Sequence, residues 1–205
     1  MKNWKEPLAI ILILGVFIFG LWINTLHKPA QPPTNYVTGY QHIYKGQVLN
    51  PLYYPENVLK LSMRASYLHE DEYLAYPAKL AVEDLINDAE KSGWCLTVAS
   101  GYRSAERQQK VYDNAQDKSL VALPNESEHQ TGLAVDFEAC PMKDGVRNDS
   151  AERKELTKDF NTLPEYNWLK YNAARYGFEE SFRSDNMEQT GFPPEAWHWK
   201  FVYNN

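Results

Sequence analysis

The stretch Ser127-Glu-His-Gln-Thr-Gly-Leu-Ala-Val-Asp136 places an imidazole, His129, and a carboxylate, Asp136, seven positions apart. The apolar run around Asp136 is typical of a buried strand, which we predict around residues 134–137. A carboxylate in a buried strand loses its hydration, so it must be paired, protonated or bound to a metal ion. A histidine alone is more often structural than a ligand, so other parts of the chain have to supply the partners of Asp136.

The odd separation of His129 and Asp136 restricts how they can meet. Residues an odd number apart on an ideal strand point to opposite faces of the sheet. His129 is therefore predicted to lie in a loop before the strand, and Gly132 is predicted to allow the bend between them.

The far end of the chain offers a third ligand and a base. His198 completes a set of two imidazoles and one carboxylate, which suits a catalytic Zn²⁺ with an open position. Glu195 precedes His198 by three residues, after a turn predicted at Pro193-Pro194. A glutamate near such a metal can accept a proton from water, whereas Glu195 on its own would be taken as an exposed acidic residue after a turn.

Arg103 lies in the segment Ser100-Gly-Tyr-Arg-Ser104, at the end of a predicted strand. A guanidinium there can bind a carboxylate through two hydrogen bonds or stabilise an oxyanion. A surface arginine is the alternative. Gln108, five residues on, falls early in the following helix and can offer an amide hydrogen bond.

Periodicity and turn residues predict the remaining elements of the domain. Residues 36–77 are rich in tyrosine and predict short turns and extended pieces, and residues 142–149 predict a polar loop. The predicted helices and strands are a helix over 78–91 ended by Gly93, a strand over 94–100, a helix from Ser104 to about Asp117, a short helix capped by Ser150, a helix from Pro164 to Gly177, and a terminal strand after Pro194.

Residues 7–26 carry no charge and are long enough to cross a hydrocarbon core of about 30 Å. A cleavable signal peptide is the alternative, but the apolar run ends without a small-x-small site. We predict a cytoplasmic tail at 1–6, a transmembrane anchor at 7–26, a proline-rich spacer at 27–39 and a domain at 40–205. The lysines near the anchor predict a single-pass membrane protein whose domain lies outside the cytoplasm.

The charge and the cysteine content of the chain limit which binding partners and which cellular compartment we expect. The formal net charge is −6 and there is no Lys/Arg-rich block, so nucleic acid is not an expected partner. Cys95 and Cys140 are the two cysteines of the chain. Outside the cytoplasm they permit one disulfide, and two buried thiols are the alternative.

Three ordered blocks of the sequence resemble the VanY-like zinc D-alanyl-D-alanine carboxypeptidases of the M15 peptidases, which are related to VanX dipeptidases and LdcB-type L,D-carboxypeptidases. The blocks are Ser-Gly-Tyr-Arg-Ser at 100–104 with Gln108, then Ser127-x-His129-x-x-Gly132-x-Ala134-x-Asp136, then Glu195-x-Trp197-His198. The resemblance covers roughly residues 78–203.

The resemblance implies an α+β fold, with a small antiparallel sheet flanked by helices. It also implies Zn²⁺ held by His129, Asp136 and His198, and Glu195 as the catalytic base. Arg103 would polarise the scissile carbonyl or hold substrate. Ser127 and Gln108 match positions that contact substrate in the family.

The implied activity is removal of the terminal D-alanine from peptidoglycan stem peptides that end in D-Ala-D-Ala. An L,D-carboxypeptidase acting on the tetrapeptide stem is the nearest alternative, and a dipeptidase on free D-Ala-D-Ala would not need an anchor. A non-catalytic peptidoglycan-binding module should have lost a ligand or the base, and this chain retains all four residues.

Overall fold

A computed structural model of the chain describes residues 55, 58–66, 71–144, 146–147 and 159–202. The predicted tail (1–6), anchor (7–26), spacer (27–39) and Ser150-capped helix lie outside these residues and stay predictions. Among the residues that are described, no helix is both long and apolar enough to cross a bilayer.

The described residues form an α+β fold with small antiparallel sheets, as predicted. Its helices and strands follow one another in this order: β1 (Val58–Lys60), β2 (Tyr73–Ala75), α1 (Tyr76–Lys91), β3 (Leu96–Ser100), α2 (Ala105–Asn114), β4 (Ala134–Ala139), β5 (Met142–Lys143), β6 (Val146–Arg147), α3 (Pro164–Asn172), β7 (Phe178–Glu180), α4 (Met187–Thr190) and β8 (His198–Phe201).

The main sheet has the strand order β3-β4-β8-β7, and each neighbouring pair is antiparallel. Strands β4 and β8 are therefore central, although 58 or more residues of sequence separate them. Their register sets Asp136 directly opposite His198 and Val135 opposite Trp199. Because side chains alternate along a strand, polar residues share one face and apolar residues the other.

The apolar face of the sheet is covered by α1 and the α3 region. Val135, Phe137 and Trp199 on the sheet belong to the same buried cluster as Val82 and Leu85 of α1. The spacing of the apolar residues of α1 is that of a helix with one buried stripe. This packing fixes the register, since a slip of one residue would turn Asp136 into the apolar cluster.

A bulge in β3 redirects the end of that strand toward the polar face. Val98 pairs with Phe137, but Ser100 pairs with Asp136, so the register shifts between them. Gly101 follows, and a Cβ on it would collide with the carbonyl oxygen of Tyr73. The bulge and the glycine bring Ser100 beside Asp136, a use of bulges that is common near active sites.

Most predicted elements are confirmed. The helix predicted over 78–91 begins two residues earlier, at Tyr76, with Pro77 in its first turn. Ser104 caps α2 by accepting a hydrogen bond from the backbone of Arg107, and α2 ends at Asn114 rather than near Asp117. Pro164 opens α3, which continues as a 3₁₀ turn and ends at Gly177, whose φ is +79°.

The polar loop predicted over 142–149 is wrong in part, because β5 and β6 form a two-stranded hairpin there. Asp144 makes this turn with a φ of +54°. Aspartate is among the few residues other than glycine that adopt this conformation. Strand β7 was also missed, since a three-residue strand carries too short a pattern to recognise.

Cys95 and Cys140 form a disulfide in the structure, which resolves the two alternatives left by the sequence. They lie at neighbouring ends of β3 and β4, where the Cys140 amide also donates to the carbonyl of Cys95 at 2.9 Å. The bond closes a segment that includes His129 and Asp136.

We expect replacement of both cysteines, Cys95→Ser with Cys140→Ser, to lower the free energy of unfolding by about 2–4 kcal/mol. The reason is that the disulfide restricts the unfolded chain across a separation of 45 residues. Urea unfolding of the oxidised protein and of the double variant measures this difference. The reduced wild type should unfold like the variant, and an unchanged free energy of unfolding would contradict the prediction.

Candidate active site

Asp136 lies at the centre of the polar face of the sheet. Its Oδ1 is 2.8 Å from Nδ1 of His198, and its Oδ2 is 3.2 Å from Nε2 of His129. The guanidinium of Arg103 lies 3.7 Å from the same Oδ2. Burial alone would raise the pKa of Asp136, but the neighbouring histidines hold that pKa well below its usual range. The carboxylate is therefore ionised and surrounded by ligand nitrogens.

His129 lies in a 3₁₀ turn, Glu128–Thr131, that precedes β4. Gly132 ends this turn in the left-handed region with a φ of +70°, which confirms the predicted bend. The Nδ1 of His129 is 2.7 Å from the carbonyl oxygen of Gly101. A carbonyl can only accept, so Nδ1 carries a proton, which leaves Nε2, on the side of Asp136, as the atom that can bind a metal ion. Burial lowers the pKa of His129, and the neighbouring Asp136 opposes this shift.

His198 is held between two carboxylates. Its Nδ1 faces Asp136, and its Nε2 is 3.0 Å from Oε2 of Glu128. The ring of Phe182 stacks on the imidazole with a centroid distance of 4.9 Å. Burial by itself lowers the pKa of His198, but the hydrogen bonds to Asp136 and Glu128 outweigh it and raise that pKa to about 10.

These three residues fit a zinc ion. One ligand atom from each of His129, Asp136 and His198 lies within 4.8 Å of the others, and all three side chains are buried. Two imidazole nitrogens and one carboxylate oxygen form the donor set of a catalytic zinc site with an open position. The carbonyl behind His129 and the carboxylate behind His198 are the outer contacts that orient such ligands.

Glu195 lines the same cavity as the three candidate ligands. The turn before β8 holds its backbone: its N–H donates to Phe182 at 2.9 Å and its carbonyl accepts from His198 at 2.9 Å. Burial raises the pKa of Glu195 to about 7. A carboxyl group with this pKa can take up and release a proton near neutral pH.

Arg103, which also lies beside Asp136, is held in place by two hydrogen bonds. Its Nη1 donates to Gln108 Oε1 at 2.9 Å, and its Nη2 donates to Ser100 Oγ at 2.8 Å. The amide of Gln108 in turn donates to the carbonyl of Ala122 at 2.7 Å. Gln108 therefore holds Arg103 in place, a contact that the sequence did not predict. Gln108 and Ser127 both line the cavity, and their contacts with substrate stay predictions.

A second group of residues, which was not predicted from the sequence, lies behind His198. Glu128 accepts hydrogen bonds from Ser181 at 2.6 Å and from Lys200 at 3.1 Å, in addition to its contact with His198. Burial alone would raise the pKa of Glu128, but these partners lower it to about 2. The available signal was Lys200, two residues after His198 in the predicted terminal strand, because a buried lysine on the same face as His198 needs an acidic partner.

Comparison with known proteins identifies the family of the chain. The family model described as VanY, D-alanyl-D-alanine carboxypeptidase, matches residues 71–204, which is more than half of the chain. The chain belongs to the VanY family. The resemblance found in the sequence is thereby confirmed.

The chain is also similar in sequence to individual curated proteins. A D-alanyl-D-alanine carboxypeptidase of Enterococcus faecalis is 34% identical over 137 residues, 59% of this chain and 45% of that protein. The chain spans about half the length of the curated relatives it matches.

Two solved structures share the fold. One is a variant of the vancomycin resistance D,D-pentapeptidase VanY from a VanB-type cassette, in complex with Zn(II), with 29% identity and a TM-score of 0.60 over 79% of this chain and 86% of that chain. The other is the LdcB LD-carboxypeptidase, with 29% identity and a TM-score of 0.64 over 78% of this chain and 75% of that chain.

We expect the affinity of this site for Zn²⁺ to rise about tenfold per pH unit between pH 6 and 8. A metal ligand has to be deprotonated, and the raised pKa of His198 means that its ring carries a second proton throughout this range. Binding therefore releases about one proton from His198, and the lowered pKa of His129 means that this ring contributes little to the pH dependence.

Competition with a chromogenic chelator, calibrated separately at each pH, measures this dependence. Calorimetry in two buffers of different ionisation enthalpy gives the number of protons released. Equal dissociation constants at pH 6 and pH 8 would show that His198 is already neutral in the metal-free protein.

Proposed function

We propose that this protein is a zinc-dependent carboxypeptidase that removes the terminal D-alanine from peptidoglycan stem peptides ending in D-Ala-D-Ala. The observation that carries the proposal is the buried set of His129, Asp136 and His198, with Glu195 lining the same cavity. Membership of the VanY family supports the reaction class and the substrate class. Zn²⁺, when bound, supplies the Lewis acidity that activates water and polarises a carbonyl group.

Glu195 is the proposed proton carrier of the reaction. Its carboxylate accepts a proton from the attacking water and delivers it to the nitrogen of the leaving D-alanine. A pKa raised to about 7 by burial suits both halves of this transfer near neutral pH. Its backbone contact with His198 keeps the base in a fixed position relative to the ligands.

Arg103 is the proposed binding group for negative charge. Its guanidinium is held by Gln108 and Ser100 before substrate arrives, so little reorganisation is needed on binding. It can bind the terminal carboxylate of the stem peptide or stabilise the scissile carbonyl oxygen as charge develops on it. Ser127, in the same cavity, is proposed to contact the peptide.

A second candidate is an L,D-carboxypeptidase that acts on the tetrapeptide stem. The observation in its favour is that the chain is equally identical, at 29%, to the VanY and the LdcB structures. Both candidates use the same metal, base and arginine, and they differ in the residue before the scissile bond, which is D-alanine in one case and an L-amino acid in the other. A binding module without activity is disfavoured, because the ligand set and the base are complete.

We expect Glu195→Gln to bind Zn²⁺ as the wild type does but to lose activity by about 10²–10⁴-fold. The amide has nearly the shape of the carboxylate but cannot accept the proton. Purified protein is incubated with a pentapeptide stem ending in D-Ala-D-Ala and with the tetrapeptide stem. Release of D-alanine is followed by mass spectrometry, and bound zinc is determined by elemental analysis.

The matched control is Glu188→Gln, the same change on the exposed surface of α4, which should leave turnover unchanged. Wild-type protein treated with a chelator should be inactive and should recover with added zinc. Faster release from the tetrapeptide would favour the L,D-carboxypeptidase. Full activity of Glu195→Gln would refute the assigned role of Glu195, and no release from either stem would refute the proposed function.

A further inference from the structure

Behind His198, on the side away from Asp136, lies a buried polar group made of Glu128, Ser181 and Lys200, here called the Glu128 cluster. Each of these side chains is at most 5% exposed. The reaction proposed above does not use them directly. A carboxylate and an ammonium buried together are costly unless each is well paired, so their presence beside a ligand needs an explanation.

The carboxylate of Glu128 receives a donor at each of its positions. Its Oε2 accepts from Ser181 Oγ at 2.6 Å and lies 3.0 Å from Nε2 of His198. Its Oε1 accepts from Lys200 Nζ at 3.1 Å. The backbone of Glu128 is also held, because its carbonyl accepts from Thr131 Oγ1 at 2.6 Å. Glu128 is therefore fixed at both ends.

The sheet register explains why these residues meet. Lys200 follows His198 by two residues in β8, so both side chains point to the same face. Ser181 follows β7 directly, and its N–H donates to the carbonyl of His198 at 3.3 Å. Glu128 begins the 3₁₀ turn that carries His129. One carboxylate thus connects the segment of the first histidine with the strand of the second.

The two ring nitrogens of His198 have different partners, and this difference has a chemical consequence. A histidine that binds a metal through one nitrogen carries its proton on the other, and the partner of that proton fixes the tautomer. Stacking on Phe182 restricts the plane of the ring but does not choose between the nitrogens. Both nitrogens face a carboxylate, but Asp136 belongs to the candidate metal group and Glu128 does not. A metal ion held by Asp136 therefore replaces the proton on Nδ1, and the proton on Nε2 remains with Glu128 as its acceptor.

We propose that Glu128 is a positioning residue for the metal site: it accepts the Nε2–H of His198 and thereby presents Nδ1 as the ligand atom, while Lys200 compensates its charge. The proposal rests on the zinc-dependent function proposed above, because it assigns His198 to a metal. The Gly101 carbonyl has the corresponding role for His129: it accepts the Nδ1–H and leaves Nε2 as the ligand atom. The two histidines therefore bind through different nitrogens, Nε2 of His129 and Nδ1 of His198.

The variant Glu128→Gln tests this role. A glutamine has one acceptor and one donor group, so its NH₂ must face either the Lys200 ammonium or the donors at His198 and Ser181. We expect zinc to bind 10–100-fold more weakly than to the wild type, as measured by chelator competition on the full chain at pH 7. The control is Glu179→Gln, since that carboxylate is partly exposed and 3.8 Å from Lys200, and its replacement should change the affinity less than about threefold.

Nitrogen-15 NMR of the zinc-loaded wild type gives a readout that needs no variant. We expect His198 to show a proton on Nε2 and a ligated Nδ1, and His129 to show the reverse. Ser181→Ala, which removes one donor and leaves the charges, should weaken zinc binding in the same direction but less. Circular dichroism establishes that each variant is folded.

A proton on Nδ1 of His198 in the zinc-loaded protein would overturn the proposal. Wild-type affinity in a folded Glu128→Gln variant would overturn it as well. These readouts are independent of the stem-peptide assay. A protein that binds zinc as described but releases no D-alanine would refute the carboxypeptidase activity and leave the role of Glu128 intact.

Discussion

A carboxylate in the middle of a central strand, Asp136, is the constraint on which the rest of the structure depends. It is almost fully removed from water, and an ionised group in that position is unstable without compensation. The compensation comes from three separate parts of the chain: His129 before the strand, His198 on the adjacent strand, and Arg103 after the bulge. These residues reach Asp136 only when the strands of the sheet pair in the observed register.

That register is set from the opposite face of the sheet. Val135, Phe137 and Trp199 pack into the apolar cluster with α1, and their alternation with Asp136 and His198 ties core packing to site geometry. Ser100, Asp136 and His198 consequently form one row across three strands. The apolar core thus acts on the chemistry indirectly, by preventing a slip that would separate the ligands.

The histidines carry the second constraint, since each must keep one nitrogen free for a ligand bond. A backbone carbonyl serves His129 and a buried carboxylate serves His198. The carbonyl is neutral and needs no balancing charge. The carboxylate of Glu128 does need one, which accounts for a lysine in the interior at position 200.

Much of this arrangement could be predicted from the sequence, because the type of some residues and their immediate neighbours indicate the local structure. Asp136 in an apolar run indicated a compensated charge, the odd spacing to His129 indicated a bend, and Gly132 indicated where the bend occurs. Gly177 and Ser104 marked helix ends through their backbone preferences. These signals are local, so one sequence is enough to show them.

The rest depends on contacts between distant segments. The bulge before Ser100 is defined by the pairing of β3 with β4, and no residue type within β3 predicts it. Glu128 lies beside His129 in sequence, but its function depends on Lys200 and Ser181, more than 50 residues away. The hairpin at β5 and β6 likewise depends on a left-handed Asp144, a conformation that the residue type permits but does not require.

The most direct test of the account is anomalous diffraction at the zinc absorption edge from crystals of the zinc-loaded protein. We predict one peak about 2.0–2.2 Å from Nε2 of His129, Nδ1 of His198 and a carboxylate oxygen of Asp136. A zinc ion bound through Nε2 of His198, or bound without Asp136, would contradict the account.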